Sequence, residues 1–468
     1  MIYKKGQELE LTIEGLAYGG RGIARQNNFV FFVESAIPGQ KVLVYISRKR
    51  KDFAEARIKE VISQSPHFSD PKCEHFLHCG GCKSQHIDYF EQLNQKKNQV
   101  QDIFQKQAGI KNFNVDLVVP ASPIFNYRNK MEFTFSKNRW ILEDEPRDVN
   151  SDFALGMHIP KRWDKILDIN SCDLMPSIGS KIVNFVRDLA KESNLRPYDQ
   201  RSHVGFLRYL ALRFGQNTNE LMVNLVTSYE DLDSLVPFVK NLVDKFPEIT
   251  SVVNNINTRK ADVSFGEREI LLFGKPILKE KLKDLTFQIS ANSFFQTNSH
   301  MAEKLYEVIL DSAKLKGDEV VYDLYCGAGS ISLFLAQKAK FVYGFDIIVS
   351  SIENAEQNAI INKIENIDFN VANLDSYFQS HKSNKYPNPD IVIVDPPRAG
   401  MHKKMTEYLP KLGAKKIIYV SCNPSTQARD TQILQSHNYE LNKLSVVDMF
   451  PHTMHVENVV LLKKVKSE

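Results

Sequence analysis

The stretch "VVYDLYCGAGSISLFLA", residues 320–336, decides the fold of the C-terminal part of this 468-residue chain. It begins as an apolar β-type run, passes through a glycine-containing turn and continues as an apolar helix-forming segment. Glycine lets the backbone turn sharply and approach a ligand closely. Because a strand, a glycine turn and a helix in this order are typical of α/β folds, we expect a parallel sheet with a ligand at this turn.

Apolar β runs alternate with amphipathic helical segments from about residue 285 onward. The runs read "EVVYDLY", "FVYGFD", "IDFNVA", "DIVIVD", "KKIIYVS" and "NVVLLKKV". Such alternation predicts a doubly wound, mainly parallel sheet whose ligands gather at the carboxyl ends of the strands. We therefore predict an α/β Rossmann-like domain over residues 285–468.

The glycine turn indicates the kind of cofactor. Gly327 and Gly329 form only a GxG pattern, and Asp346 closes the next strand 23 residues after Asp323. An acidic residue at about this distance can accept hydrogen bonds from ribose hydroxyls. Since the full GxGxxG pattern is absent, pyrophosphate binding is disfavoured, and we predict S-adenosylmethionine as the cofactor.

Reactive side chains follow two further strands. In "DIVIVDPPRAG", proline forces the chain out of the sheet directly after Asp395, which exposes this carboxylate at the ligand edge. In "SCNPSTQARD", Cys422 ends the next strand beside a predicted helix N-terminus, where a thiolate is favoured. From position alone, a buried structural cysteine is an equally good interpretation of Cys422. Glu457, at the start of the last apolar run, is a possible catalytic partner.

The N-terminal region, residues 1–65, alternates short β-type runs with glycine and proline turns. Five such runs predict a small OB-like barrel. Residues 1–60 carry 11 basic and 7 acidic side chains, which leaves 49 of each sign in the rest of the chain. Because phosphate neutralisation dominates nucleic-acid affinity, this basic excess indicates a docking domain for RNA or DNA. A solvated charged surface would explain the charge equally well.

Four cysteines lie in the predicted α+β central domain, residues 66–284. Cys73, Cys79 and Cys82 are clustered in "CEHFLHCGGCKSQH", and Cys172 is distant. In a long chain without an export signal, metal binding is a better interpretation than disulfides. A tetrathiolate zinc site usually shows two C-x-x-C pairs, so three clustered ligands and a remote one favour a [4Fe-4S] cluster. Ordinary buried cysteines are the remaining alternative.

The sequence also argues against a membrane protein. No stretch approaches the 18 or more apolar residues of a membrane-spanning helix, and the first residues lack the apolar core of a signal peptide. We therefore expect a soluble, cytoplasmic protein.

Taken together, these motifs resemble the RNA uracil-5 methyltransferase family, specifically its bacterial 23S ribosomal RNA branch. The resemblance covers almost the whole chain and includes "EGLAYGGRGIAR", "ANSFFQTN", "DPPRAG", "SCNPSTQARD" and "FPHTMHVE". It implies a multidomain enzyme: an N-terminal TRAM barrel, a central iron–sulfur domain and a class I methyltransferase domain. It also implies methyl transfer from S-adenosylmethionine to carbon 5 of a uridine through a covalent cysteine–uracil adduct.

The resemblance assigns roles to individual residues. It makes Cys422 the nucleophile and Glu457 the general base. It places cofactor contacts at Gln296, Tyr325, Gly327, Gly329, Ser330, Asp346, Asn373 and Asp395. It makes the cluster ligands Cys73, Cys79, Cys82 and Cys172. Ser330 stands where some relatives have asparagine, and Asp395 is also expected near the target base.

The expected partner is 23S ribosomal RNA, acted on by a monomer. Ribosomal RNA is preferred over tRNA because tRNA-modifying relatives typically lack both the barrel and the cluster. A tRNA uracil-5 methyltransferase and a non-catalytic RNA-binding scaffold are the alternatives. Because a stacked uracil cannot be reached, the target base must be flipped out. Phe294, Phe295, Tyr127 and Arg128 are candidates for holding the vacated space, with packing or surface charge as the competing interpretation.

Overall fold

The computed structural model describes residues 3–110, 113–146, 148–261, 263–374 and 386–465. The helices in these ranges are α1 (Tyr89–Gln107), α2 (Ser177–Glu192), α3 (Leu232–Lys245), α4 (Ser299–Ala313), α5 (Ser330–Ala336), α6 (Val349–Ile361), α7 (Lys403–Tyr408) and α8 (Pro424–Gln435). The strands are β1 (Glu8–Thr12), β2 (Gly15–Leu16), β3 (Gly22–Gln26), β4 (Phe29–Glu34), β5 (Lys41–Lys49), β6 (Phe53–Ser63), β7 (Leu117–Val119), β8 (Lys130–Ser136), β9 (Arg139–Trp140), β10 (Ala154–His158), β11 (Ile166–Asp168), β12 (Leu207–Phe214), β13 (Leu221–Thr227), β14 (Ser251–Ile256), β15 (Arg268–Gly274), β16 (Ile277–Leu282), β17 (Leu285–Ser290), β18 (Val320–Leu324), β19 (Phe341–Asp346), β20 (Ile367–Val371), β21 (Ile391–Val394), β22 (Lys416–Ser421), β23 (Tyr439–Val447) and β24 (Glu457–Lys464).

The N-terminal strands form a small, strongly curved sheet in the order β1-β5-β6-β4-β3-β2. Alternating apolar residues of β4 and β5, among them Phe31, Val33 and Val44, are fully buried in its core. This period of two is what a half-buried strand requires. The five predicted β runs appear as β1, β3, β4, β5 and β6, and β2 is a two-residue addition.

The central region is an antiparallel-rich sheet covered by helices, in the order β15-β14-β13-β12-β8-β10-β11-β9. Every residue of β12 and of β13 is buried. Apolar side chains of α2 and α3, including Val186 and Phe238, pack in the same core as these strands. The α+β interpretation of this region therefore agrees with the structure.

The C-terminal sheet has the order β20-β19-β18-β21-β22-β24-β23-β7. Neighbours from β20 to β22 pair in parallel, whereas β24 runs antiparallel to both β22 and β23. The predicted mainly parallel sheet is present, and its reversed strand has a functional consequence. The start of β24 meets the carboxyl ends of the parallel strands at the same edge of the sheet.

The chain contributes to this C-terminal sheet before it builds the central domain. Strand β7 pairs in parallel with β23, and Val100 and Phe104 of α1 lie in the core beneath the sheet. Lys96 of α1 forms a fully buried ion pair with Asp448, with 2.6 Å between nitrogen and oxygen. Helix α1 and strand β7, which the sequence places in the central domain, therefore pack as part of the catalytic unit.

In the parts of the chain that the structure describes, no helix is both long enough and apolar enough to cross a bilayer.

Candidate active site

The carboxyl edge of the C-terminal sheet carries most of the predicted reactive side chains. Asp346 is the last residue of β19, Asp395 follows β21 and Cys422 follows β22. Strands β21 and β22 each end at a residue that cannot continue a strand or that caps a helix. Pro396 follows Asp395, and Asn423 caps α8 by accepting a hydrogen bond from the backbone N–H of Ser425 at 3.1 Å. The edge therefore collects acids and a thiol, as the strand alternation predicts.

Cys422 and Glu457 are neighbours because β22 and β24 are antiparallel. Ser421 pairs with Asn458 in the register of these strands, so the next pair at the sheet edge is Cys422 with Glu457. Asn458 reinforces the junction, since its side-chain amide donates to the Ser421 carbonyl at 3.4 Å. The two residues that the resemblance assigns to chemistry are thus brought together by strand pairing.

Arg398 is the charged residue that sequence reasoning missed. Its guanidinium lies close enough to the Cys422 thiol to lower the pKa of that group, and it donates to Nδ1 of His455 at 2.8 Å. The side-chain amide of Asn423 donates to the Arg398 carbonyl at 2.9 Å, which ties the loop after β21 to the start of α8. The signal was available in "DPPRAG", but only the fold shows that this arginine meets the thiol.

Opposing charges set the protonation of Cys422. Burial and then the Glu457 carboxyl raise the pKa of the thiol above its ordinary value, and the Arg398 guanidinium lowers it. The thiol is only half-buried, so a substrate can reach it. A cation beside a thiol stabilises the thiolate, which is the nucleophilic form.

Two carboxyls at this edge, those of Glu457 and Asp395, have raised pKa values. Burial, followed by the charge of Asp395, raises the pKa of Glu457 well above the ordinary value, while Arg398 opposes the shift. Burial raises the pKa of Asp395 to about 7. A carboxyl whose pKa approaches the working pH is suited to proton transfer in either direction.

The glycine turn leaves room for a ligand. A Cβ added to Gly327 would meet nothing within 4 Å, and the backbone N–H of Gly327 donates to Asp346 at 3.0 Å. The other oxygen of Asp346 accepts from the backbone N–H of Ile348 at 2.9 Å. Each carboxylate oxygen has a further lone pair for a ribose hydroxyl. The exposed side chains of Ile347 and Ile348 offer an apolar surface beside it, which the sequence analysis did not note.

Two more predicted cofactor residues border the same turn. Tyr325 has a positive φ of 67°, which bends the chain out of β18. Gly329 is the N-cap of α5, and Ser330, the first residue of that helix, accepts a hydrogen bond from the hydroxyl of Tyr306 at 2.9 Å. Ser330 keeps its own hydroxyl proton to donate to a ligand.

Gln296 and Asn373 lie on loops. Gln296 precedes Asn298, the N-cap of α4, whose amide donates to the Met449 carbonyl at 2.9 Å. Asn373 follows β20 at the carboxyl edge of the sheet. Gln296 is partly buried and Asn373 is exposed, and the cofactor contacts of both remain predictions.

The four candidates for holding the space of the flipped base differ in their burial. Tyr127 is fully buried, with its hydroxyl donating to the Pro451 carbonyl at 3.0 Å, and Phe295 is buried in the core of the catalytic unit. Packing is therefore the better interpretation of both rings. Phe294 is 72% exposed and is available to a substrate. Nε of Arg128 donates to the Lys130 carbonyl at 3.1 Å.

The four cysteines of the central domain line one cavity. Cys73, Cys79, Cys82 and Cys172 face a space of about 40 Å³, and none of them is in a disulfide. The remaining lining is mainly apolar, with Phe76, Met131, Met157, Ile169 and Leu174. Among the described residues, no group of three or more His, Cys, Asp or Glu side chains is arranged to hold a metal ion.

Comparison with known proteins decides the family. The family described as tRNA (uracil-5-)-methyltransferase matches residues 88–465, and the TRAM domain matches residues 3–59. The chain belongs to the tRNA (uracil-5-)-methyltransferase family. As a member of this family it is an S-adenosylmethionine-dependent RNA uracil-5-methyltransferase with an N-terminal TRAM domain. A non-catalytic scaffold, one of the alternatives from the sequence, is thereby set aside.

Relatives of the family match over nearly their full length. An uncharacterized RNA methyltransferase of Porphyromonas gingivalis is 39% identical over 462 residues, which cover 97% of this chain and 99% of the relative. One from Chlorobaculum tepidum is 37% identical over 473 residues, which cover 99% of this chain and 97% of the relative. The similarity therefore includes the barrel, the central domain and the catalytic domain together.

A solved structure shares the same architecture. The tRNA (uracil-54, C5)-methyltransferase of Pyrococcus abyssi, in complex with S-adenosyl-L-homocysteine, is 31% identical, with a TM-score of 0.76. The match covers 97% of this chain and 99% of that enzyme. This match weakens one argument for ribosomal RNA, the expectation that tRNA-modifying relatives lack the barrel, because a tRNA enzyme corresponds to almost the whole chain.

Proposed function

We propose that the enzyme methylates carbon 5 of a specific uridine through a covalent adduct between Cys422 and the uracil ring. The observation that carries this proposal is the pairing of Cys422, just after the end of β22, with Glu457 at the start of β24, with Arg398 beside the thiol. Carbon 5 of uracil is too weak a nucleophile to accept a methyl group directly. A covalent catalyst divides this difficult step into easier ones.

The reaction begins with the thiolate of Cys422. Its sulfur forms a bond to ring carbon 6, and the electron pair of the carbon 5–carbon 6 double bond moves onto the carbon 4 oxygen as an enolate. S-Adenosylmethionine would supply the methyl group to carbon 5. As the new carbon–carbon bond forms, the bond from that methyl group to sulfur breaks and S-adenosylhomocysteine leaves. Arg398 stabilises the thiolate before addition, because its guanidinium faces the sulfur.

Glu457 completes the cycle as the base. It removes the proton from carbon 5, the double bond re-forms and the bond from carbon 6 to sulfur breaks, which frees Cys422. Asp395 faces the same space and adds to the field that raises the pKa of Glu457. The raised pKa makes Glu457 a stronger base once it is ionised, as proton abstraction from carbon requires.

The proposed substrate is 23S ribosomal RNA, on the strength of the motif resemblance. tRNA is the second candidate, supported by the full-length match to the Pyrococcus abyssi tRNA enzyme. The test is to map 5-methyluridine in both ribosomal RNA and tRNA from cells with and without the gene, and from cells that carry Cys422→Ala. Loss of one modified position in 23S ribosomal RNA supports the first candidate, and loss in tRNA supports the second. Unchanged 5-methyluridine in both pools contradicts the proposed function.

We further propose that Cys73, Cys79, Cys82 and Cys172 hold a [4Fe-4S] cluster. Their convergence on one mainly apolar cavity supports this, as do hydrogen bonds to two of the sulfurs, from the Gly81 N–H at 3.4 Å and from Gln85 at 3.2 Å. Such hydrogen bonds tune iron–sulfur clusters. The ligands of a cube of four irons stand farther apart than those of a single ion, which is consistent with the absence of a single-ion site among the described residues.

The cluster would link the loop of residues 73–82 to the segment that precedes α2, and no step of methyl transfer passes through it. Protein purified without oxygen should contain about four irons per chain and absorb broadly in the visible range. Cys172→Ser should lower the iron content, whereas Cys326→Ser, a cysteine outside the cavity, should not. Stoichiometric zinc without iron contradicts the proposal.

A further inference from the structure

The loop between β2 and β3 brings the N-terminal barrel to the active site. Residues 17–21 form a tight turn, with hydrogen bonds from the Ala17 N–H to the Arg21 carbonyl and from the Gly20 N–H to the Ala17 carbonyl, both at 2.8 Å. A Cβ on Gly20 would lie only 2.6 Å from Sδ of Met454. The turn is therefore seated on the segment that leads into β24 and Glu457, and the φ of 90° at Gly20 favours glycine at this position.

A second contact fixes the direction of this loop. The backbone N–H of Leu16 donates to the side chain of Gln95 on α1 at 2.8 Å, and Gln95 in turn donates to Glu91 at 2.6 Å. Leu16 is buried with Ile37 and Ile87. Because both ends of the contact are buried, the loop is held by the catalytic unit as well as by the barrel.

Tyr18 stands at the tip of this turn. It is 44% exposed. Its phenol lies near enough to Cys422, Arg398 and Glu457 for their charges to act on it. Its hydroxyl makes no hydrogen bond to another of the described residues. An exposed aromatic ring on a braced turn beside a nucleophile is positioned to contact a substrate rather than to pack in a core.

A groove of about 470 Å³ begins at Tyr18 and runs between the barrel and α1. Its cations are already neutralised, since Arg25 pairs with Glu14 and Lys106 pairs with Asp102. The other polar lining consists mainly of amides. Gln95 is already hydrogen-bonded to Leu16 and Glu91, and the others are Asn98, Gln99 and Gln107. A groove without excess charge but rich in amides suits base edges better than phosphates, because amides can both donate to and accept from bases.

We propose that Tyr18 stacks on an RNA base next to the target uridine, and that the groove between the barrel and α1 holds the unpaired nucleotides that continue from it. The physical reason is that a uridine drawn to Cys422 must leave its stack, so its neighbour loses a stacking partner. Aromatic side chains commonly supply that partner in single-stranded RNA recognition. The inference rests on the proposed function, because the target must lie at Cys422.

The test compares Tyr18→Ala with Tyr18→Phe and Tyr18→Trp, on an unmodified RNA stem–loop that carries the mapped uridine. Tyr18→Ala should raise KM for RNA by about 5- to 150-fold, the range of aromatic–base stacking. Tyr18→Phe and Tyr18→Trp should restore it, since both keep the ring. KM for S-adenosylmethionine should stay unchanged in all three variants. Tyr229→Ala, which removes a tyrosine with 52% exposure in the central domain, is the matched control.

Two further measurements locate the contact. With 2-aminopurine beside the target, binding of the wild-type protein should quench fluorescence, and Tyr18→Ala should quench it less. Asn98→Trp, which fills the groove, should raise KM for the stem–loop but not for an RNA shortened on the side that occupies the groove. If Tyr18→Phe is as defective as Tyr18→Ala, or Tyr18→Ala binds RNA normally, the stacking role is wrong. If the wild-type protein methylates no RNA, the proposed function fails instead.

Discussion

Two cysteines follow strands of the same parallel sheet, yet their surroundings are opposite. Cys326 follows β18 and is 7% exposed, and burial together with the nearby Asp323 and Asp346 raises the pKa of its thiol well above the ordinary value. Cys422 follows β22, is more exposed and faces the Arg398 guanidinium. The comparison teaches that a position at a strand end does not make a nucleophile. A cysteine becomes a nucleophile when a substrate can reach its thiol and a neighbouring cation stabilises the thiolate.

The largest expected effect comes from removing each thiol in turn. Cys422→Ala should lower methylation by about 10³-fold or more, because it removes the thiol that adds to carbon 6. It should also abolish the denaturation-resistant complex that forms with RNA carrying 5-fluorouridine at the target, where fluorine cannot leave as a cation. Gel electrophoresis of the denatured complex measures this.

Cys326→Ala is the matched variant for that experiment. It should keep the covalent complex with 5-fluorouridine RNA, even if its affinity for S-adenosylmethionine falls. A covalent complex that persists in Cys422→Ala and disappears in Cys326→Ala would reverse the assignment of the two thiols.

The next effect concerns Glu457. Glu457→Gln should lower turnover by about 10²- to 10³-fold, the usual contribution of a general base. Because the Glu457 carboxyl raises the pKa of Cys422, its loss should lower that pKa, so addition should continue and a methylated adduct should accumulate with ordinary uridine. Mass spectrometry of trapped protein–RNA complexes checks the adduct, and free product at the wild-type rate would exclude Glu457 as the base.

A smaller effect is expected from the cation. Arg398→Met should lower the single-turnover rate at pH 7 by about 10- to 100-fold, because it raises the pKa of the Cys422 thiol and reduces the thiolate fraction. The defect should shrink as the pH rises, since more thiolate then forms without help. Alkylation by iodoacetamide as a function of pH measures the thiol directly. Arg398→Lys should behave between wild type and Arg398→Met, and an unshifted alkylation profile would exclude the role of Arg398.

The smallest expected effect tests the surroundings of Cys326. Asp323 is fully buried, accepts a hydrogen bond from Ser332 and has its pKa raised by burial to about 7. Between about pH 4 and pH 7 the folded state therefore binds a proton that the unfolded state has lost, so Asp323 makes stability fall as pH rises through this window. In Asp323→Asn this contribution is absent. When the pH is raised from 5 to 8, the Tm of the variant should therefore fall by a few degrees less than the Tm of the wild type does. Thermal unfolding at both pH values measures this.

The sequence alone was sufficient for the local features of this enzyme. Alternating apolar residues marked the strands, and proline after Asp395 and the Asn423 cap marked where two of them end. These are properties of neighbouring residues, so a linear pattern contains them. Four cysteines were also predicted as one set of ligands from the sequence, and all four line one cavity.

The domain boundaries predicted from the sequence were less accurate where segments far apart in the chain share one core. Residues 89–119 lie near the cysteines in the chain, but α1 and β7 pack with the C-terminal sheet. No local pattern distinguishes an amphipathic helix of one domain from that of another, because both bury an apolar face. The sequence also does not decide the substrate, since a tRNA enzyme matches 97% of this chain.

What the tertiary structure alone decided is which groups meet. Antiparallel pairing of β22 with β24 places Cys422 beside Glu457, and the loop after β21 brings Arg398 to the same thiol. The barrel turn that carries Tyr18 reaches this site from the other end of the chain by packing on Met454. Strand order and domain docking depend on the summed burial of residues far apart in sequence. The residue types were therefore readable from the sequence, whereas their pairing and protonation depend on the fold.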